Sequence, residues 1–383
     1  MSQKIQADGT IKFFITIIGL VVIAIVLREL SSIFIPLVIA IFLFFVFSPF
    51  NNWLTSKKIP MLFITLLDLA ILFGLLYGVG RIVVDSFLQF SEGLPVYGEK
   101  LSNMVKATSA SWGLTDPFFT DFSFEHLLAK LNLENIAGGI FSSTVSLLGS
   151  VLFVLFFFLF VLSGNETIYN AIKHRYVYKK LTPELAKAKE EIDNTDSTID
   201  EQNILDEFHQ QRQLRDQQLE TTFKKITEQI QRYIIAKVGV NLIAGIITTI
   251  VLSIIGVDFP IVWGLFVFLF NFIPTIGSAI ALVFPVLFSL VQFDSVGTMI
   301  LVLALMAGIQ TLAFNVAEPM ILGKRLNINP LLILLSVLLW GYIWGIVGML
   351  LSVPFTAIIK IIISNSSSPN MQFFGRLMSQ EKD

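Results

Sequence analysis

Asn271-Phe272-Ile273-Pro274-Thr275-Ile276-Gly277 cuts across an apolar run that starts near Trp263 and resumes through Pro285. Two further interruptions follow in the same third of the chain. One is Asn315-Val316-Ala317-Glu318-Pro319. The other is Trp340-Gly341-Tyr342-Ile343-Trp344-Gly345, with Pro354 beyond it. In hydrocarbon each free backbone N–H or C=O costs several kcal/mol. Such breaks survive only where protein buries them or where they line a polar cavity, and paired broken spans point to a transporter's binding site.

The rest of the chain places these breaks in a membrane. Of 383 residues, 55% are apolar and 14% charged, against about 25% charged in soluble domains. The mean hydropathy is +0.78. Several apolar runs approach the roughly 20 residues that cross a bilayer core. With no Cys, disulfides, thiolate metal sites and cysteine nucleophiles are excluded. The net charge of −2 selects no partner, and no basic patch suggests nucleic acid. Phe13–Leu27 lacks a small-residue cleavage site and is followed by a second apolar run from Ile33, so it reads as a retained helix.

The expected architecture is all-α and polytopic, with about six full transmembrane helices plus two helical hairpins. Residues 1–83 hold helices at 11–28, 32–48 and 61–83, with a loop over 49–60. An extracytoplasmic amphipathic segment occupies 84–140, with turns at Gly93-Leu94-Pro95 and Asp116-Pro117 and a short amphipathic piece at Phe124–Leu133. A fourth helix fills 141–163. A charged cytoplasmic helical segment covers 164–232, with helical stretches at Pro183–Ile192 and Asp200–Gln231. The transport core is 233–363. It comprises a helix at 233–255, a hairpin at 259–291, a helix at 296–317 and a second hairpin at 329–363. The Ser/Asn-rich tail is 364–383. Most of the 26 Lys and Arg fall on the side of the N-terminus, so both termini are expected in the cytoplasm. The hairpins then enter from opposite faces, and their tips approach one another in mid-membrane.

At these residues the chain resembles the autoinducer-2 exporter (AI-2E) family of bacterial membrane proteins. One matching block runs Gly256-Val257-Asp258-Phe259-Pro260 through Asn271–Gly277 to Pro285. The other runs Gln310, Asn315, Pro319-Met320-Ile321-Leu322-Gly323-Lys324 and Pro330, then Gly345-Ile346-Val347-Gly348 to Pro354. The resemblance implies a multi-helix secondary transporter of the bacterial inner membrane, assembled as a homo-oligomer, a pentamer by that likeness. It implies export of a small polar solute such as autoinducer-2. Cation/proton exchange occurs among the same relatives and stands as the alternative. A third reading is a non-transporting scaffold that recruits partners through its charged segment. The chain departs from the family pattern in two places. Ala313 and Phe314 stand where an acidic residue is expected, with Glu318 as a stand-in, and 179–222 is longer and more charged.

The candidate solute-binding residues are Asn271, Pro274, Gly277, Gln310, Asn315, Gly341, Gly345 and Gly348. A helix stopped at Pro leaves backbone groups free, and amide side chains add donors and acceptors suited to a polyhydroxylated solute. Asp68, roughly 10 Å into its helix, and Glu318 are the candidate ion-coupling acids. The competing reading puts Glu318 in a pair beside Lys324 and Arg325, and Asp68 in a structural hydrogen bond with an unidentified neighbour. Asn241 reads as interhelical glue, and Gly74-x-x-x-Gly78 as a close-packing motif. His126, His174 and His209 stand far apart, and no hydrolase or nucleotide-binding motif is found. No enzyme activity, metal or cofactor is expected.

Overall fold

The computed structural model describes residues 9–124, 149–162, 198–274, 276–322, 328–364, 375 and 378. Phe124–Leu133 beyond its first residue, Pro183–Ile192, Lys324, Arg325 and most of the tail lie outside them. The described chain is helical: α1 Gly9–Glu29, α2 Ser31–Ser56, α3 Met61–Ser111 and α4 Pro117–Thr120, then α5 Gly149–Leu162. After these come α6 Thr198–Ile255, α7 Pro260–Phe270, α8 Ile276–Phe293, α9 Val296–Thr311, a π-helical turn Leu312–Ala317, α10 Glu318–Leu322 and α11 Pro330–Ser364. Among the described residues, six stretches are long and apolar enough to cross a membrane. They lie in α2, α3, the second half of α6, α8, the run Val296–Ile321, and α11. Thus α8, expected as a hairpin arm, is among the six, and so by length is α11, which covers both arms of the expected second hairpin.

Several helices overrun their expected ends. Pro49 does not stop α2, which continues to Ser56. The turn expected at Gly93-Leu94-Pro95 is absent, and α3 runs through Pro95 as one helix of 51 residues. Tertiary docking explains this second overrun. Phe90, Tyr97 and Lys100 share a face of α3 and meet the core helices. The Tyr97 hydroxyl donates to Asp258 at 2.7 Å, and Lys100 donates to the Gln292 carbonyl at 2.5 Å. Phe90 and Tyr97 also pack edge-on against Phe259 and Phe288. Such contacts outweigh the lost hydrogen bond at one exposed Pro. The Asp116-Pro117 signal holds: the Asp116 carboxylate caps α4 by accepting from the Phe118 N–H at 2.8 Å. The charged stretch from Thr198 is continuous with the apolar helix to Ile255, giving one helix of 58 residues.

Two of the reversals in the described chain fall in the expected hairpin units. Helix α7 has 11 residues, about 16 Å, which is half a bilayer core. It ends at Asn271, and α8 returns along it, with Trp263 and Phe266 against Phe288 and Phe284. The second reversal is hidden inside α11, where Trp344 and Gly345 leave helical geometry. Ser336 and Thr356 share a hydroxyl–hydroxyl bond of 2.5 Å, and Trp340 stacks on Phe355 at 4.4 Å. In a straight helix, residues 20 positions apart would lie about 30 Å apart. Gly345 has φ +62°, a conformation that favours glycine.

Helix α6 is the hub. One face packs with α7, α8 and α9 around Val240, Val267, Ala281 and Met306. Its earlier turns, at Ile230 and Ile234, pack with Val353 and Ala357 of α11. A separate cluster joins α2, α3 and α5 through Ala40, Leu72 and Phe158. Helix α1 is tied at its C-terminal end, where the Trp344 indole donates to the Leu27 carbonyl at 2.8 Å and Arg28 donates to the Tyr342 hydroxyl at 3.1 Å. Along the rest of α1 most apolar side chains are exposed. Added Cβ atoms at Gly74 and Gly78 would meet nothing within 4 Å, so the close packing expected of this motif is not made within the described chain.

Candidate functional site

The site is built where α6, the tip of the first reversal and the end of α9 meet. Asn271 ends α7, its N–H bonded to the Val267 carbonyl at 3.3 Å. Pro274 cannot donate, and the Gly277 N–H closes the turn on the Ile273 carbonyl at 3.0 Å. The tip is inside the protein: Asn271, Phe272 and Ile273 are all buried, and Phe272 meets Phe42 midway along α2. Both polar side-chain atoms of Asn271 lack a hydrogen-bond partner among the described residues.

Gln310 sits on the last turn of α9 and is also buried, with both its amide atoms unpartnered. It lies between Met306 and Ala313 on a helix that packs into the same apolar cluster as Val267 and Val240. Asn241 of α6 faces this cluster too. It is 0% exposed and donates to the Phe268 carbonyl at 3.3 Å, leaving its own oxygen unpartnered. Thr248, two turns further, is buried with its hydroxyl unpartnered. Native proteins leave few buried polar groups unpaired, since each costs about 1–3 kcal/mol. Three amides and a hydroxyl, carried by α6 and by elements at the ends of α7 and α9, are therefore unused donors and acceptors among the described residues.

Glu318 is paired with a residue of α6, while the Lys324 and Arg325 expected beside it lie outside the described residues. Lys237 of α6 donates to both its carboxylate oxygens, at 2.8 and 2.9 Å. The pair is largely enclosed, with side-chain exposures of 7% for Lys237 and 21% for Glu318. The Lys237 ammonium also lies 5.1 Å from the Phe314 ring centroid. Lys237, Asn241 and Thr248 recur at helical spacing, so one face of α6 carries the ion pair at one end and the unpaired polar groups beyond it. The sequence reading passed over Lys237 and Thr248. Their spacing with Asn241 inside an apolar run was the available signal.

The break expected at Asn315–Pro319 is not a stop. The helix widens there into a π-turn, in which the Glu318 N–H bonds to the Ala313 carbonyl five residues back, and then continues to Leu322. Pi-bulges inside α-helices are frequent at functional sites. A match to the AI-2E family transporter profile extends over residues 13–198 and 202–368. The chain belongs to the AI-2E transporter family. A Haemophilus influenzae relative named for an inferred transport role is 25% identical over 379 residues, covering 96% of this chain and 97% of that one. A similarly named Borreliella burgdorferi protein is 45% identical over 143 residues, which span 37% of this chain and 40% of that one. The AI-2 transport protein TqsA of Escherichia coli is 36% identical over 144 residues, 38% of this chain and 42% of its own. The last two alignments thus cover under half of those relatives. The AI-2E family is one of transporters, and the described helices make this member a multi-pass membrane protein.

Not every expected site residue of this AI-2E protein joins the cluster. Asn315 is exposed on the outside of the π-turn. Gly341, Gly345 and Gly348 belong to the second tip, which docks against Leu27 and Arg28 where α1 ends. The first tip docks at Phe42, about 17 Å further along α2. The two tips therefore stand at different levels, contrary to the expected mid-membrane meeting. Gly277, Gly341 and Gly348 are packing devices, while Gly345 supplies the positive φ of its turn. A Cβ on Gly277 would collide with the Phe270 carbonyl oxygen, one on Gly348 with that of Trp340, and one on Gly341 with the Met349 side chain. Asp68 is also elsewhere. It is 0% exposed and accepts from the Asn51 amide at 2.8 Å, a bond between α2 and α3. Asn51 lay in the expected 49–60 loop and was not foreseen as its partner. Among the described residues no group of three or more His, Asp or Glu is arranged to hold a metal ion.

Proposed function

We propose that this AI-2E protein is a secondary transporter that exports a small polar solute of the autoinducer-2 type. Asn241, Asn271 and Gln310 bind the solute, beside the Gly277 turn. The reading rests on one observation: the side-chain amides of Asn271 and Gln310 are buried in a membrane protein with no partner among the described residues. Neutral amides present donors and acceptors without charge, which suits hydroxyl and carbonyl groups better than a cation. The name of TqsA supports the choice of solute. In this reading α7 and α8 form a hairpin that rocks against α2 through the Phe42–Phe272 contact, exposing the amides to alternate sides. The protein sits in the inner membrane with both termini cytoplasmic, and the exposed apolar helices leave surface for a homo-oligomer.

Cation/proton exchange finds less support. Glu318 is held by Lys237, and Asp68 is bonded to Asn51 away from the amide cluster. Proteoliposome flux decides between the readings. Asn271→Leu and Gln310→Leu are expected to lower autoinducer-2 flux at least tenfold while leaving thermal stability near that of the intact protein, because neither side chain gives up a protein hydrogen bond. Asp68→Asn keeps an acceptor for Asn51 and should leave flux within about twofold. Intact flux in both amide variants would remove the site from this cluster. Loss of a Na⁺-driven pH change in Asp68→Asn would favour the antiporter.

A further inference from the structure

We propose that the π-helical turn Leu312–Ala317 is a register switch that carries Glu318 on and off Lys237, opening and closing that end of the amide-lined face of α6. The switch rests on the transport reading above and adds the moving part.

A π-turn is an α-helix with one surplus residue. Here it lies between two ordinary α-helical stretches, α9 and α10, and the Glu318 N–H bonds to Ala313, five residues back. Passing the surplus residue along the helix only exchanges five-back for four-back bonds. Each residue it passes turns by about 100° around the axis. Glu318 is the first residue after the turn, so carrying the surplus residue past Glu318, Pro319 and Met320 swings the carboxylate away from Lys237 and turns Met320 with it.

The neighbouring residues offset part of the cost of this step. Pro319 follows Glu318 directly and has no N–H, so it pins neither register. Lys237 keeps company when Glu318 leaves. The Phe314 ring is already 5.1 Å from its ammonium. Tyr233, one turn back on α6, is buried with a hydroxyl that has no partner among the described residues. Asn241, one turn on, is the first amide of the proposed solute site. The ion pair thus stands next to that site on the same helix face, and its opening uncovers Asn241.

Two properties of the chain make the test direct. It contains no Cys, so spin labels go only where they are placed. Leu312 is also exposed, so deleting it removes the surplus residue at little packing cost. The deletion gives a plain α-helix with Gln310 and Glu318 still facing α6. The deletion variant is expected to melt at or above the temperature of the intact protein and to move autoinducer-2 at least tenfold more slowly in proteoliposomes. Labels at Ile243→Cys and Met320→Cys, both on exposed positions, report the motion by pulsed electron resonance in the otherwise intact chain. Two distance populations are expected before the deletion and one after it. A single distance in the undeleted protein, or export at the intact rate after deletion, overturns the switch. If the intact protein moves no solute, the transport reading fails, while the two distances still decide whether the turn shifts.

Discussion

Lys237→Met, with Glu318 left in place, is expected to be the most destabilising single change outside the turns. It leaves a largely enclosed carboxylate without the ion pair that Lys237 gave it. Breaking a buried pair by removing one partner costs about 3–5 kcal/mol. The lower end applies here, because Glu318 keeps a fifth of its surface exposed. Adding Glu318→Leu should return most of the loss, since two apolar groups in place of a buried pair are near neutral. Thermal unfolding in detergent of the single and double variants measures this. A single variant as stable as the double would mean that water already reaches the carboxylate and that the pair carries no structural weight. Restored stability without restored flux in the double variant would separate the brace from the gate.

Gly277→Ala and Gly348→Ala form the second large effect. In each case the added methyl meets a backbone carbonyl oxygen, Phe270 or Trp340, which no rotamer change can move aside. The arms of both reversals would have to separate. The cost should exceed the roughly 1 kcal/mol typical of point substitutions several-fold, seen as little folded protein in the membrane fraction. Gly78→Ala is the control. Its new methyl meets nothing within 4 Å and it lies inside α3, so it should gain about 1 kcal/mol from helix propensity. A folded, monodisperse Gly277→Ala protein would show that the first tip is looser than its contacts indicate. A destabilised Gly78→Ala protein would show that this glycine face packs against a second copy.

What the sequence by itself determined is the class of molecule and the position of its reversals. Runs of apolar residues long enough to cross a bilayer leave few alternatives to membrane helices, because the backbone must satisfy itself in lipid. Asn271–Gly277 marked a turn because Pro removes a donor and Gly allows close approach. The 11-residue arm before it is too short to cross the membrane. The same logic located the reversal at Gly345. The polar face of Lys237, Asn241 and Thr248 was legible in principle from its spacing.

Only the tertiary structure decided which local signals prevailed and which side chains became partners. A Pro in a helix costs about 3 kcal/mol or more, yet α2 runs past Pro49 and α3 past Pro95. At Pro95 the docking of Phe90, Tyr97 and Lys100 on the core offsets that cost. The break at Asn315–Pro319 became a π-turn because α6 packs along both α9 and α10 and holds them in line. Glu318 pairs with Lys237, 81 positions earlier on another helix. Asp68 likewise bonds to Asn51 across a helix pair. Sequence patterns report local backbone preferences and the faces of single helices. The choice of partner depends on which faces meet, and that is set by the packing of the whole bundle.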